Sequence, residues 1–183
     1  TAPLPIVSFG QGCEGEPLMV WEALKEAIIE IRKKTSKGII NLNTNGSNPQ
    51  AVEELFKAGL DSMRVSLNSA REELYKAYYQ PKNYTFNAVQ ESIALAFRYQ
   101  KWCSLNYFVY PGVTDQEEEW DALKKLIRQN KPSMIQWRNF NIDPDWYEEV
   151  VGTPKGDAIG IKNHLKRVKE AFPSLLFGYF NPS

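Results

Sequence analysis

Hydrophobic positions along the chain follow two different spacings. Short runs in which every second residue is apolar are separated by longer segments in which apolar residues recur every three or four positions. The first spacing is typical of strands and the second of amphipathic helices. The pattern predicts strands at residues 6–9, 38–43, 62–68, 104–110 and 134–140, with a sixth at 175–180.

Helical spacing fills the segments between these strands. The predicted helices carry the stripe Leu18, Trp21, Leu24, Ile28 and Ile31, a run from Pro49 that stops at Gly59, residues 71–78, residues 85–100, a helix that begins at a capping box of Thr114 and Glu117, and a final stripe of Ile161, Leu165, Val168 and Phe172. Residues 141–160 read as a loop rich in Asp, Pro and Gly. No low-complexity linker divides the chain, so residues 1–183 are interpreted as a single domain.

Strand followed by helix, repeated along the chain, predicts a parallel sheet with right-handed crossovers. An open doubly wound sheet and part of a (β/α) barrel both fit this order. Helices cover both faces of a doubly wound sheet, so its central strands should be apolar throughout. Several strands here alternate apolar and polar residues instead. The alternation favours an α/β fold of the second kind, a partial (β/α) barrel with about five or six parallel strands and outer helices.

The polar residues of four predicted strands fall on one common face. These residues are Asn41, Asn43, Arg64, Ser66, Asn68, Asn106, Gln136 and Arg138. A buried polar surface costs free energy unless its donors and acceptors are satisfied. The face is therefore either a solvated, mutually hydrogen-bonded side of the sheet or the inner face of a barrel that receives a large polar ligand.

A glycine-rich loop follows the first predicted strand. Residues 10–15 spell Gly-x-Gly-x-x-Gly, the fingerprint of dinucleotide-binding domains. Glu14 and Glu16 would repel a pyrophosphate at the helix start, and the next strand ends in Asn43-Thr44-Asn45 without the acidic residue that binds a ribose. Glu16 suits an ammonium group better, and Pro17 suits the first position of a helix. An NAD(P)-binding oxidoreductase domain stays open as the second interpretation.

Composition removes several classes of function. Lys plus Arg and Asp plus Glu number 22 each, so no basic surplus supports binding to nucleic acid or an anionic membrane. No run is long and apolar enough for a membrane span, and the first residues lack the layout of a signal peptide, which favours a cytoplasmic protein. Cys13 and Cys103 are the only cysteines, too few for a disulfide framework or a four-thiolate metal site.

Several motifs, in their order along the chain, resemble those of the radical S-adenosylmethionine (radical SAM) superfamily. Gly15-Glu16-Pro17 resembles the family's Gly-Gly-Glu-Pro motif, with Glu14 in place of its first glycine. Further likenesses are Asn43-Thr44-Asn45-Gly46 to its Thr-Asn-Gly strand end, Arg64-Val-Ser66-Leu-Asn68 to its fourth strand, Asn106 through Pro111-Gly112 and Thr114-Asp115 to its fifth strand and loop, and Gln136-Trp-Arg138-Asn139 to its sixth strand. The ordered set covers most of residues 5–145.

This resemblance implies a site for S-adenosylmethionine (SAM) along the strand ends. It assigns Gly15 and Glu16 to the methionine ammonium, and Ser66 and Asn68 to the ribose or carboxylate. Arg138, with Asn106, would contribute to the carboxylate or adenine side. The full set of cofactor-binding candidates is Gly15, Glu16, Pro17, Asn43, Thr44, Asn45, Ser66, Asn68, Asn106 and Arg138.

The resemblance also implies a 4Fe-4S cluster on a CxxxCxxC loop, and this chain has no such spacing. Two cysteines cannot supply three clustered thiolates. We expect the cluster ligands upstream of Thr1, which makes the five main strands the second to sixth of the barrel and leaves this chain inactive alone. The complete enzyme would cleave SAM reductively to a 5'-deoxyadenosyl radical, with flavodoxin or ferredoxin as electron donor. Its substrate, a small molecule, peptide or protein, stays open, and a non-enzymatic barrel-like interaction domain is the third interpretation.

The remaining notable residues favour structural roles. His164 is expected at the edge of the last helix and Cys103 in the core. For Cys13, in the loop after the first strand, a buried inert thiol is favoured over a reactive one. The loop at Asp143 and Asp145 can touch substrate or metal, but a solvated loop is favoured. If the first strand of the barrel lies upstream of Thr1, the sheet of this chain ends in an unpaired edge. Self-association through that edge is therefore expected.

Overall fold

The computed structural model describes residues 5–12, 15–153 and 157–178. Six parallel strands form one sheet in the order of the chain. They are β1 (Ile6–Phe9), β2 (Ile39–Thr44), β3 (Ser62–Leu67), β4 (Trp102–Val109), β5 (Met134–Asn139) and β6 (Leu176–Phe177). A doubly wound sheet reverses its strand order and this one does not, so the partial (β/α) barrel is confirmed. Positions 179 and 180 of the predicted sixth strand lie outside the described residues.

Helices connect the strands. A short 3-10 helix (Pro17–Val20) precedes α1 (Trp21–Lys34), and the others are α2 (Pro49–Ala58), α3 (Glu72–Tyr79), α4 (Phe86–Arg98), α5 (Glu117–Asn130), α6 (Pro144–Val151) and α7 (Ile161–Ala171). Right-handed crossovers in a consecutive strand order place the connecting helices on one side of a sheet. We call the opposite side the inner face. No helix of the described ranges is long and apolar enough to cross a membrane.

The hydrophobic core lies between the sheet and these helices. Each of the four central strands points apolar residues outward, toward the helices. Completely buried examples, one on each strand, are Leu42, Val65, Leu105 and Ile135. Helical residues of the predicted stripes pack on them, including Ile28, Val52, Leu55, Val89, Ile93, Leu123 and Val168. Because the outward positions carry this packing, the intervening residues of each strand must point to the inner face.

The predicted capping box at Thr114 is wrong. The helix begins at Glu117 with Gln116 as its N-cap. Thr114 instead closes the turn after β4, where its hydroxyl accepts a hydrogen bond from the Tyr110 amide at 2.8 Å and donates to the Phe108 carbonyl at 3.2 Å. The hydroxyl satisfies the backbone at the end of a strand, so the helix starts later than the cap spacing indicates.

The segment interpreted as a loop contains a helix. Pro144 occupies its first turn, and the Asp143 carboxylate accepts a hydrogen bond from the Trp146 amide at 3.0 Å as the N-cap. Asp143 and Asp145 are exposed, as expected of solvated residues. Asp, Pro and Gly are typical of loops, but Asp and Pro also occur at the start of a helix, and here they begin a capped helix of two turns.

His164 does not lie at a helix edge, because it is completely buried. Trp120 and Trp137 pack against its ring in edge-on geometry, with ring centroids 6.2 and 5.7 Å away. Burial lowers the pKa of the imidazole. Cys103 lies in the core as predicted, where burial raises the pKa of its thiol. Cys13 lies outside the described residues.

Candidate functional site

Polar side chains of neighbouring strands line up across the inner face. Asn43, Arg64 and Ser104 are register partners on β2, β3 and β4. One row nearer the carboxyl ends, Ser66, Asn106 and Gln136 are partners on β3, β4 and β5. The strands therefore bring together the polar residues that the alternation predicted to converge.

The β1–β2 side of this face is a closed network of hydrogen bonds. The Asn41 amide group donates to the Ser8 hydroxyl at 2.7 Å and to Asn43 Oδ1 at 3.1 Å, and its oxygen accepts from the Ser62 hydroxyl at 2.8 Å. Asn43 in turn donates to the Gly10 carbonyl at 3.2 Å. Asn43 thus fixes the end of β1 to β2.

The β3–β5 side is much less satisfied. Asn106 donates to the Ser66 hydroxyl at 3.4 Å, and Arg64 donates to Gln136 Oε1 at 3.4 Å, both near the limit of a hydrogen bond. Asn106 Oδ1 and the Ser104 hydroxyl are buried and have no protein partner among the described residues. Buried polar atoms in native proteins are normally paired, so this region has the character of a ligand site.

Two guanidinium groups share this region of the inner face. Arg64 and Arg138 are both half-buried, and Arg138 stands beside Phe108 in the register of β4 and β5. Burial, together with the charge of Arg138, lowers the pKa of Arg64. In the described ranges, neither arginine forms an ion pair with a carboxylate.

The loop after β1 is tied to the end of β2 by the Glu16 carboxylate. One of its oxygens accepts hydrogen bonds from the Leu18 amide at 3.1 Å and the Thr44 hydroxyl at 2.5 Å. The other accepts from the Asn45 amide at 2.7 Å. A cavity of about 430 Å³ also borders Glu16 and Asn45, but its other lining residues, such as Pro49, Lys82 and Tyr84, belong to α2 and the α3–α4 loop rather than to the inner face.

Thr44 and Asn45 shape the turn that receives this carboxylate. The Thr44 hydroxyl accepts from the Gly46 amide at 3.0 Å, and Asn45 Oδ1 accepts from the Ser47 amide at 2.8 Å. These bonds hold the Asn45 amide in place for Glu16. The predicted site residues of β2 therefore act on the loop rather than projecting freely into a pocket.

Backbone conformation in the loop depends on glycine. Gly10 has a φ of +73° and Gly15 a φ of +81°, values that L side chains rarely adopt. A Cβ on Gly10 would overlap the Asn43 carbonyl oxygen, whereas one on Gly15 would meet none of the described residues within 4 Å. Pro17 follows as the first residue of the 3-10 helix, as predicted.

Asn68 points away from the other candidates. It is buried beyond the end of β3, and its amide donates to the Leu74 carbonyl at 3.0 Å and the Tyr147 hydroxyl at 3.2 Å. These bonds join α3 to α6, whereas the side-chain oxygen of Asn68 has no protein partner in the described part of the chain. The structure thus groups Ser66 with Asn106 and leaves Asn68 in the packing of two helices.

A buried carboxylate holds the loop that follows Asn68. Glu119 of α5 has no exposed surface and accepts hydrogen bonds from the Ser69 hydroxyl at 2.5 Å, the Ala70 amide at 2.7 Å and Arg71 Nε at 3.1 Å. The Tyr107 hydroxyl also donates to it, and burial beside this charge raises the pKa of Tyr107. Glu119 of α5 therefore holds in place the residues that directly follow β3.

The described residues do not form a metal site. No group of His, Cys, Asp or Glu within them is arranged to hold an ion, and Cys103 is buried on the helix side of the sheet. A 4Fe-4S cluster therefore does not fit the residues that the structure describes.

The fold and the polar inner face place this protein among the (β/α)-barrel proteins, whose sites lie at the carboxyl ends of their strands. The family description of the radical SAM superfamily matches residues 6–127, more than half of the chain. The chain belongs to the radical SAM superfamily. This confirms the resemblance drawn from the motifs, and membership implies SAM and a 4Fe-4S cluster as cofactors.

Solved structures support the same fold. A domain of pyruvate-formate lyase-activating enzyme from Bacteroides vulgatus is 12% identical, with a TM-score of 0.65 over 94% of this chain and 98% of that one. SuiB from Streptococcus suis, bound to S-adenosylmethionine, is 15% identical, with a TM-score of 0.60 over 96% of this chain and 39% of that one.

A third similar structure is a radical SAM methyltransferase from Sphaerobacter thermophilus, 14% identical, with a TM-score of 0.61 over 91% of this chain and 49% of that one. The chain thus spans less than half the length of SuiB and of this methyltransferase. A comparison with curated protein sequences found no significant match.

Sequence reasoning missed several residues of this region. Ser104 lies two residues before Asn106 on β4, so the same alternation places it on the inner face. Tyr147 was hidden because α6 was interpreted as a loop. Glu119 carried no usable signal, because an acidic residue early in a helix normally faces solvent.

Proposed function

We propose that this chain is the SAM-binding core of a radical SAM enzyme, and that the cysteines of the 4Fe-4S cluster lie outside it. The observation that carries the proposal is the Glu16 carboxylate, held between the loop after β1 and the end of β2. Three hydrogen bonds orient this carboxylate, and a carboxylate has about four acceptor sites. Glu16 therefore keeps acceptor capacity and a negative charge for the ammonium group of SAM.

The half-satisfied β3–β5 side suits the remainder of SAM. Ser66 and Asn106 offer a hydroxyl and an amide for the ribose or adenine, and Asn106 Oδ1 has no partner among the described residues. The chemistry that SAM supplies with a reduced cluster is a 5'-deoxyadenosyl radical, which takes a hydrogen atom from the substrate. The residues of this chain bind and orient SAM.

The geometry counts against a dinucleotide in the glycine-rich loop. A pyrophosphate binds there through the free amides of a helix N-terminus. Here the Glu16 side chain already caps that terminus by accepting from the Leu18 amide. The strand order also lacks the reversal at which dinucleotides bind.

Calorimetric titration of the chain with SAM, 5'-methylthioadenosine and NAD⁺ tests the proposal. 5'-Methylthioadenosine keeps the adenosine of SAM but lacks its ammonium and carboxylate groups. We expect SAM to bind more tightly than 5'-methylthioadenosine and NAD⁺ not to bind. Binding of NAD⁺ without SAM would contradict the proposal.

The Glu16→Gln variant assigns the ammonium contact. It should weaken the binding of SAM at least tenfold and leave the affinity for 5'-methylthioadenosine unchanged, because only SAM carries the ammonium group. Equal weakening of both ligands would mean that the loop had merely loosened. Glu22→Gln is the matched control, since Glu22 is exposed in the first turn of α1.

Reductive cleavage tests the location of the cluster. We expect no cleavage of SAM by this chain after treatment with iron, sulfide and a reductant, because its described residues form no metal site. Cleavage should appear when the chain is joined to a segment with a CxxxCxxC loop. Turnover by the chain alone would overturn this part of the proposal.

A further inference from the structure

We infer that Arg64 and Arg138 form an anion subsite that binds a carboxylate or phosphate group of the substrate. The inference rests on the proposed function, since it names the substrate class that the same inner face takes. It differs from the resemblance, which assigned Arg138 to SAM.

The described residues supply no counter-charge to the two arginines. Among the described residues, no carboxylate oxygen lies within 4.0 Å of either guanidinium group. Arg64 is half-buried, and its guanidinium group donates the long hydrogen bond to Gln136. Two cations that share a partly buried face repel each other unless an anion lies between them. An anionic ligand supplies that missing partner.

Neutral hydrogen-bond donors surround the pair. Ser104 lies beside Arg64 in the register of β3 and β4. Its hydroxyl group is completely buried and forms no hydrogen bond within the described ranges. Gln136, two residues before Arg138, is 2% exposed. Guanidinium, hydroxyl and amide groups are the donors that bind carboxylate and phosphate oxygens in proteins.

Position separates this subsite from the carboxylate of SAM. The ammonium and carboxylate of SAM are attached to one carbon atom, so a SAM that meets Glu16 keeps its carboxylate near the end of β2. Arg64 lies beside Asn43 in the register of β2 and β3, and its guanidinium group reaches across to Gln136 on β5. β2 and β5 are three strand spacings apart, about 14 Å along the sheet. The two arginines therefore serve a second anion.

Anion titrations test the inference on the chain as it stands. Sodium succinate and inorganic phosphate serve as probes, and the unfolding temperature is followed at constant ionic strength. We expect one probe to raise the unfolding temperature in a saturable way, and which probe does so distinguishes a carboxylate from a phosphate. Arg64→Gln and Arg138→Gln should each raise its dissociation constant at least tenfold, because Gln keeps hydrogen bonds but not the charge.

Arg128→Gln is the matched control, since Arg128 is exposed on α5, and it should change the constant less than twofold. Should one arginine variant fail to fold, the other carries the test alone. Absence of saturable binding, or binding that both variants retain, would overturn the inference.

The SAM titration of the same variants separates this inference from the proposed function. Arg64→Gln should leave the preference for SAM over 5'-methylthioadenosine within twofold of the unaltered chain. If the preference collapses, the arginines bind the carboxylate of SAM, and the inference is wrong while the proposed function stands. If the unaltered chain binds an anion but not SAM, the proposed function fails by itself.

Discussion

At the scale of single residues, alternation along a strand predicts which way a side chain points but not what it meets. Ser66 and Asn106 were placed on the inner face from sequence, and the register puts them side by side. Asn68 has the same parity, but it lies just past the last residue of β3 and turns into the contact between α3 and α6. Its partners come from segments far away in sequence, which no local pattern specifies.

Glu119 illustrates how much can depend on one buried charge. In Glu119→Gln, an amide replaces the acceptor for Ser69, Ala70 and Arg71, and the Arg71 charge loses its partner. We expect the free energy of unfolding in urea to fall by about 3 kcal/mol. The exposed Glu118→Gln is the control and should stay within about 0.5 kcal/mol. Similar losses in both variants would show that the network contributes nothing specific.

His164 should make stability depend on pH. Burial lowers the pKa of the folded imidazole below its ordinary value of 6.5, although Asp115 and Glu117 act in the opposite direction. The unfolded chain therefore binds the proton more readily, and stability falls as the pH drops through 6.5.

His164→Phe tests this pH dependence, because His164 is the only histidine and neither ring nitrogen has a partner among the described residues. Between about pH 7.5 and 5.5, the unaltered protein should lose about 1 kcal/mol more unfolding free energy than the variant. Carboxylates titrate equally in both proteins and cancel in the difference. Parallel pH profiles would refute the assignment.

At the scale of elements, periodicity predicted every main strand and most helices, and the errors lie at caps and turns. α6 was missed because Asp and Pro indicate a turn as readily as a helix start. Thr114 was misread because its hydroxyl has two competing uses, capping the next helix or closing the preceding turn. Which use prevails depends on where β4 ends, and that is decided by pairing with β5.

The loop after β1 offers a paired test of backbone fit. Gly10 and Gly12 both have positive φ, at +73° and +63°, but only Gly10 is packed against the Asn43 carbonyl. Gly12→Ala should cost about 1 kcal/mol of unfolding free energy, the penalty of the left-handed conformation. Gly10→Ala should cost about 2 kcal/mol more, because the added methyl group collides with β2. Equal costs would mean that the loop can shift away without loss.

At the scale of the whole molecule, the sheet has an exposed hydrophobic edge. In the described part of the chain, β1 pairs with β2 alone, and Ile6 and Val7 are 46% and 45% exposed. Edge strands with unpaired backbone groups and apolar side chains tend to pair with another chain. Self-association through this edge therefore stays a prediction, and we propose Ile6 and Val7 as part of its surface.

Sedimentation measurements over a range of concentrations test this association. The unaltered chain should associate as concentration rises, and Val7→Lys should move the midpoint to at least tenfold higher concentration, because a charged edge opposes pairing. Val20→Lys is the control, since Val20 is 57% exposed but belongs to the 3-10 helix and not to the edge strand. A chain that stays monomeric at every concentration would contradict the prediction.

The consecutive order of the strands also bears on how the chain acquires its structure. Each strand pairs with the next strand along the chain, as Ile6 does with Ile39 and Ser62 with Trp102. Pairing between consecutive strands closes a shorter loop than pairing between distant strands would, so its loop-closure cost is smaller. The sheet can thus lengthen by one βα unit at a time as the ribosome releases the chain, without waiting for its last residues.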